Sequence, residues 1–365
     1  MISRRAFLHH GVGAAAALSS LGALSRAMAD ETPPSLVIDS LTTDGPTFDP
    51  RVAVAAGLTA AVMDLRMFPR NFPNAIDALA DWSNAFHRAD TGFFKVLKAA
   101  DLLEAKRRGK LGVILACQDA SILDTSSFSV NDNNLRNLRL FYDLGLRVLQ
   151  LTHNERNAVG DAFREKTDAG LSRLGERVVT EMSALGMLTD LSHCSDRTTL
   201  EAIALSPKPC AVTHAGCRAL HPSLRNKPDE VIRALAEKGG YFGIYNMSVW
   251  LTERDKSSVE DVVDHIDHVV KVGGIALAGF GSDQPVLGDD TPQAEKVQGF
   301  QGYIRRNQGL PGAEPLHGHV TVQELDTPKR MEVLAGALAK RGYKGDAVEK
   351  VLGGNFARVF GAVCG

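Results

Sequence analysis

Cysteine is scarce in this 365-residue sequence: five residues, with no CxxC spacing, are too few for a disulfide scaffold and rule out a zinc finger or a thioredoxin-like redox pair. An excess of one charge is also missing. Lys plus Arg number 41 against 43 Asp plus Glu, with no basic run, which argues against nucleic acid as a partner. There is no GxSxG elbow of a serine hydrolase and no HExxH helix of a zincin. Past the amino terminus no apolar stretch is long enough to span a bilayer, so an integral membrane protein is not expected. No repeat, low-complexity tract or Pro/Gly/Ser linker separates a second domain.

The first 29 residues read as a targeting segment rather than as part of a fold. Ser3-Arg4-Arg5-Ala6-Phe7-Leu8 precedes an apolar stretch from Gly11 to Leu24, and Ala27-Met28-Ala29 supplies small residues for cleavage before the polar Asp30-Glu31. This predicts a twin-arginine signal, hence dealings with the twin-arginine export machinery and a periplasmic or secreted destination. Its removal takes away three arginines and no acid, leaving a mildly acidic chain over 30–365. The route carries folded proteins, a weak pointer to a metal loaded beforehand.

What the chain does have is alternation. Short apolar runs at 36–41, 60–65, 111–117, 148–153, 187–193, 210–214, 241–247 and 275–283 are separated by stretches with apolar residues three and four apart, such as 134–144, 174–185, 228–238 and 259–272. Strand and helix in turn imply parallel pairing, and eight units predict a single TIM-like (β/α)8 barrel. Two further helical stretches, 332–338 and 346–360, are expected to close its bottom or flank.

In such a barrel chemistry gathers at the carboxyl ends of the strands. Asp39, Asp64, Gln118, Asp119, His153, Asp190, His193, His214, Asn246 and Asp283 stand there in chain order. Imidazole binds metals and exchanges protons near neutral pH, so three histidines at successive strand ends, among carboxylates, point to metal-assisted hydrolysis. Asp264-His265-Ile266-Asp267-His268 reads as a solvated helix face, and His317-Gly318-His319 as a surface loop. Cys210 and Cys217 are either a pair or two free thiols.

The stretch Leu138-Arg139-Leu140-Phe141-Tyr142-Asp143-Leu144-Gly145, with Leu151-Thr152-His153-Asn154, Gly170-Leu171-Ser172-Arg173-Leu174-Gly175, Asp190-Leu191-Ser192-His193, Thr213-His214-Ala215, Arg225-Asn226-Lys227-Pro228-Asp229 and Gly281-Ser282-Asp283, resembles the membrane (renal) dipeptidase family, peptidase family M19. The resemblance implies a metallo-dependent hydrolase barrel in which two zinc ions serve dipeptide hydrolysis. By the same likeness His193 and His214 would be metal ligands, His153 would polarise the substrate, Arg225 would grip its carboxylate, and Asp283 would be the acid/base.

The chain departs from that pattern on the other side of the centre. Asp39-Ser40-Leu41-Thr42-Thr43 stands where the family has Asp-x-His-x-Asp, and Gln118 stands at the bridging glutamate. Two divalent ions need anionic ligands around them, and a neutral amide bridges poorly. The expectation is therefore one zinc on His193 and His214, with Gln118 as an auxiliary ligand. Two ions with Asp39 or Asp119 as substitutes, or none, are the alternatives. Functionally, an exported zinc dipeptidase acting on a small peptide-like substrate stands against a degenerate barrel that binds a peptide-like ligand or assists maturation of an exported product. A homodimer is left open.

Overall fold

Runs such as Leu111–Cys117 are apolar at every position because both faces of the strand are covered, as in a parallel sheet ringed by helices. The computed structural model describes residues 35–123, 132–315 and 318–365. The segment read as a signal, and His317, lie outside them. The strands are β1 (Ile38–Thr42), β2 (Ala60–Asp64), β3 (Phe93–Lys95), β4 (Leu111–Cys117), β5 (Leu146–Gln150), β6 (Leu188–Asp190), β7 (Ala211–Ala215), β8 (Tyr241–Ile244) and β9 (Ala278–Phe280). All ladders are parallel, in the order β1-β2-β4-β5-β6-β7-β8-β9, and short β3 pairs with β4 off this path. Beyond the end of β9 the ring is drawn together at β1. Asp283 N donates to Leu41 O at 2.9 Å, Thr43 N to Gln284 O at 3.3 Å, and Ser282 N to the Asp39 carboxylate at 2.8 Å. The eight-stranded, nearly closed barrel expected from the sequence is present. β3 is an addition that the sequence reading did not include.

Helices form where local signals agree. In Arg173–Leu185 Ser172 caps the first turn through Gly175 N at 3.0 Å, Leu174, Val178, Val179 and Met182 make the buried stripe, and Gly186 ends it at φ 84°. The apolar residues sort into two clusters. One lies between the sheet and the helices; the other fills the barrel with Ile38, Val62, Ile114, Val148, Leu188 and Tyr241 and includes Phe356, Val359, Phe360 and Val363. These last four come from the helix Asn355–Cys364, which meets the amino ends of the strands: Arg358 donates to Gly239 O, Gly240 O and Ala276 O, and Gly353 lies against the start of β1. The expected closure of the bottom is confirmed, although a π-turn over Lys350–Gly354 divides the stretch 346–360.

Higher in the barrel the interior is polar and tight. Ser40 Oγ shares its one proton between Thr213 O at 2.8 Å and Phe280 O at 2.9 Å, and receives the Tyr241 hydroxyl at 2.9 Å. Gly243 leaves room for this cross-barrel link, since a Cβ there would lie 2.2 Å from Thr213 O and 2.8 Å from Ser40 Oγ. Gly243→Ala should lower unfolding free energy by about 1–3 kcal/mol in urea titration. Gly336→Ala, in the helix Arg330–Arg341 with nothing within 4 Å, should raise it by roughly 0.5–1 kcal/mol. Equal responses would contradict the packing described.

Candidate active site at the carboxyl ends of the strands

β6 and β7 end in the two histidines that come closest together. Between these strands Asp190, fully buried, accepts from Ser192 N (3.1 Å), Ser192 Oγ (2.5 Å), Thr213 N (3.1 Å) and Thr213 Oγ1 (2.6 Å). Burial raises its proton affinity, and these four donors pull it back toward the carboxylate. Because the carboxylate can only accept, the Thr213 hydroxyl spends its proton on it. His214 Nδ1, 2.8 Å from Thr213 Oγ1, must then be the donor in that contact. His214 Nε2 is left with its lone pair. On His193, Nδ1 donates to Asn154 Oδ1 at 3.0 Å, and the one lone pair of Nε2 accepts from Arg225 Nη2 at 2.9 Å.

The two Nε2 atoms face each other at 3.0 Å. Burial, with the Arg225 charge beside them, holds both imidazoles well below the usual histidine pKa, so both rings are neutral, each with its proton on Nδ1. The His214 lone pair is open, and a cation shared by both rings would take the His193 lone pair in place of the Arg225 N–H. The pair therefore fits one metal ion held by two neutral imidazoles, with the remaining positions open. Among the described residues no group of three or more His, Cys, Asp or Glu converges on a metal position.

A second ion finds no such welcome. Leu41 is fully buried with the apolar core. Of the carboxylates considered as substitutes, Asp39 faces Arg330 Nη1 at 3.5 Å and accepts Ser282 N, and Asp119 Oδ1 accepts Ser121 N, Ser121 Oγ and Asn157 Nδ2 at 2.8–2.9 Å. Asp39 is thus answered by an arginine, and Asp119 is held through one of its two oxygens. Gln118 is buried at the end of β4, its N–H on Asp64 Oδ1 (3.1 Å) and its carbonyl receiving Gln150 Nε2 (2.7 Å).

His153 stacks on His193, ring centroids 4.3 Å apart and planes within 19°. Burial and three guanidiniums, Arg70, Arg225 and Arg164, keep it neutral. Asp283 follows β9 at φ 54°, a left-handed conformation that aspartate tolerates better than most residues. Burial, partly offset by Arg225, pushes its pKa up to about 7.

Arg225 is wholly buried, beside the rings of Tyr245 and Trp250 at 5.1 and 5.7 Å. Its fork is less free than a carboxylate clamp requires. Nη1 donates to Ser192 O at 2.9 Å and Nη2 to both His214 O and His193 Nε2, which leaves Nε as a buried N–H without a partner.

Arg70, in the loop after β2, is a site residue that sequence reasoning missed. Its only signal was a basic residue six positions beyond a strand-end aspartate. His265, read as solvated, is buried instead: Nδ1 accepts Cys217 N at 2.8 Å, and Nε2 donates to Leu251 O at 3.0 Å. Cys210 and Cys217 are both buried free thiols.

The family model of membrane dipeptidases (peptidase family M19) matches residues 58–301. The chain belongs to the membrane dipeptidase family. It is 33% identical over 266 residues to the dipeptidase tcpJ of Claviceps purpurea, covering 72% of this chain and 53% of that protein. A dipeptidase of Schizosaccharomyces pombe, described as uncharacterized, is 31% identical over 252 residues, 67% of this chain and 59% of its own length. The chain thus spans a little over half the length of these relatives. An amidohydrolase structure from Pseudomonas aeruginosa superposes with a TM-score of 0.75 at 26% identity, covering 90% of this chain and 96% of that one. No helix among the described residues is long and apolar enough to cross a membrane.

The raised pKa of Asp283 has a consequence for stability. Between the unfolded value of 3.8 and about 7 the native state binds the extra proton, so this residue's contribution falls as pH rises through that window. In chelator-treated protein Asp283→Asn should be more stable than the parent at pH 8, on the order of 1–3 kcal/mol, and the gap should close by about pH 4. Thermal unfolding at both pH values measures it; a gap that does not change with pH would refute the assignment.

Proposed function

We propose that this chain is an exported metallodipeptidase that works with one zinc ion, held by His193 and His214. The observation that carries the reading is the 3.0 Å approach of two lone-pair nitrogens, with Asp283, His153 and Arg225 around them. A bound zinc would supply Lewis acidity to the scissile carbonyl and the attacking water. The chain's own groups do the rest. Asp283, with a pKa near neutrality, takes a proton from the water and returns it to the departing amine. His153, neutral, donates a hydrogen bond to the developing oxyanion. Arg225 keeps one buried N–H, at Nε, for the substrate carboxylate. Arg225 Nη2 occupies the His193 lone pair that a zinc ion would take, so metal binding would release that N–H toward the substrate carboxylate.

A second reading is favoured by one observation, the capture of Asp39 by Arg330: the barrel binds a peptide-like ligand without turning it over, or assists maturation of an exported product. Loading purified protein with zinc separates the two. The dipeptidase reading expects about one ion per chain, lost in His193→Ala and His214→Ala. It also expects hydrolysis of dipeptides that falls about 100-fold or more in Asp283→Asn while the metal stays. Binding of dipeptides without turnover would establish the second reading. Export follows from the paired arginines ahead of the apolar stretch: replacing Arg4 and Arg5 with lysines should leave the uncleaved protein in the cytoplasm, as read by fractionation, and unchanged export would overturn the twin-arginine route.

A further inference from the structure

Arg70 is held in the rim of the barrel with its charge only loosely answered. Its side chain is 9% exposed, and its Nε is buried without a partner. Nη2 lies 3.4 Å from Asp64 Oδ2, a long contact, and Asp64 also receives the N–H of Gln118. Two other carboxylates of the rim are engaged elsewhere, Asp39 with Arg330 and Asp119 Oδ1 with Ser121 and Asn157. A buried guanidinium with an idle N–H is costly unless something anionic completes it.

Topology says where that anion would come from. In the ring β1-β2-β4-β5-β6-β7-β8-β9, the loop after β2 carries Arg70 and the loop after β7 carries Arg225, four strands apart and so on opposite sides of the mouth. His153, at the end of β5, lies between them in strand order. Through Asp64, which also accepts the Gln118 N–H, Arg70 is anchored at the carboxyl ends of β2 and β4, the same end of the barrel as Arg225. Each of the two guanidiniums has one unpartnered buried Nε–H. A ligand lying across the mouth meets cations at both ends.

We propose that Arg70 binds a second anionic group of the substrate, the side-chain carboxylate of an acidic first residue, so that the barrel prefers dipeptides beginning with glutamate or aspartate. With the terminal carboxylate at Arg225 the scissile bond lies beside His153, and the first side chain points toward β2. This rests on the dipeptidase reading, and the test is built to separate the two.

The zinc-loaded protein is assayed with glutamyl-alanine against glutaminyl-alanine, and with alanyl-glutamate against alanyl-glutamine. The first pair should differ about tenfold or more in kcat/KM, chiefly through KM, and the second pair should differ little. Arg70→Gln should bring the first pair close to parity, and Arg70→Lys should retain part of the preference. Equal rates for the first pair in the parent protein, a preference that survives Arg70→Gln, or a preference carried by the second pair instead would each overturn the proposal. Calorimetric binding of the same four dipeptides to chelator-treated protein is read alongside. Should no dipeptide be hydrolysed, the dipeptidase reading falls, while tighter binding of glutamyl-alanine than of glutaminyl-alanine in the parent still upholds Arg70, and equal binding still removes it. If Arg70→Gln does not fold, the parent comparison and Arg70→Lys decide.

Discussion

Everything at the mouth of this barrel turns on one electrostatic fact: two imidazole nitrogens face each other with no proton between them, one lone pair open and the other held by a guanidinium. Asp190 is the origin of that arrangement. Its carboxylate claims the Thr213 proton, Thr213 in turn requires Nδ1–H on His214, and the lone pair moves to the pocket side. Asn154 does the same for His193 from a different loop. Burial, with the guanidinium of Arg225 beside them, then keeps either ring from taking a second proton.

The other side of the mouth has settled its electrostatics differently. Where a second ion would need anionic ligands, the chain pairs acids with arginines: Asp39 with Arg330, and more loosely Asp64 with Arg70. A guanidinium supplies one delocalised charge and directional N–H groups, whereas a divalent ion supplies two charges and open coordination positions. The Asp39–Arg330 pair also ties β1 to the segment after β9, since Arg330 Nη1 donates to Ser282 Oγ at 2.6 Å. The Asp39–Arg330 pair is thus part of the barrel's seam.

Much of this was legible in the sequence, for physical reasons. The eight apolar runs fall on the eight strands of the ring because a strand covered on both faces must be apolar throughout. β3 escaped because Phe93-Phe94-Lys95 is too short to set a period. His193 and His214 could be found because strand ends in a barrel converge. What could not be read was who holds whom. The proton chain through Thr213, the use of Arg225 to brace His193, and the burial of His265 beneath the backbone of Cys217 and Leu251 depend on contacts between residues distant in sequence. Arg70 was invisible for a related reason: it reaches the pocket from within a loop, where neither period nor strand-end position marks it.

The helix Asn355–Cys364 adds a constraint of another kind. Its Phe356 and Phe360 share one apolar cluster with Ile38 of the first strand, and Ala99 N donates to Gly365 O at 2.7 Å. The inside of the barrel is thus a vessel whose floor is delivered by the far end of the described chain. A polypeptide with all nine strands but without that floor would hold an apolar tube open to water from below. Its strands could pair, yet the ring would enclose solvent where it should enclose hydrocarbon, and the geometry of the mouth would rest on a wet interior.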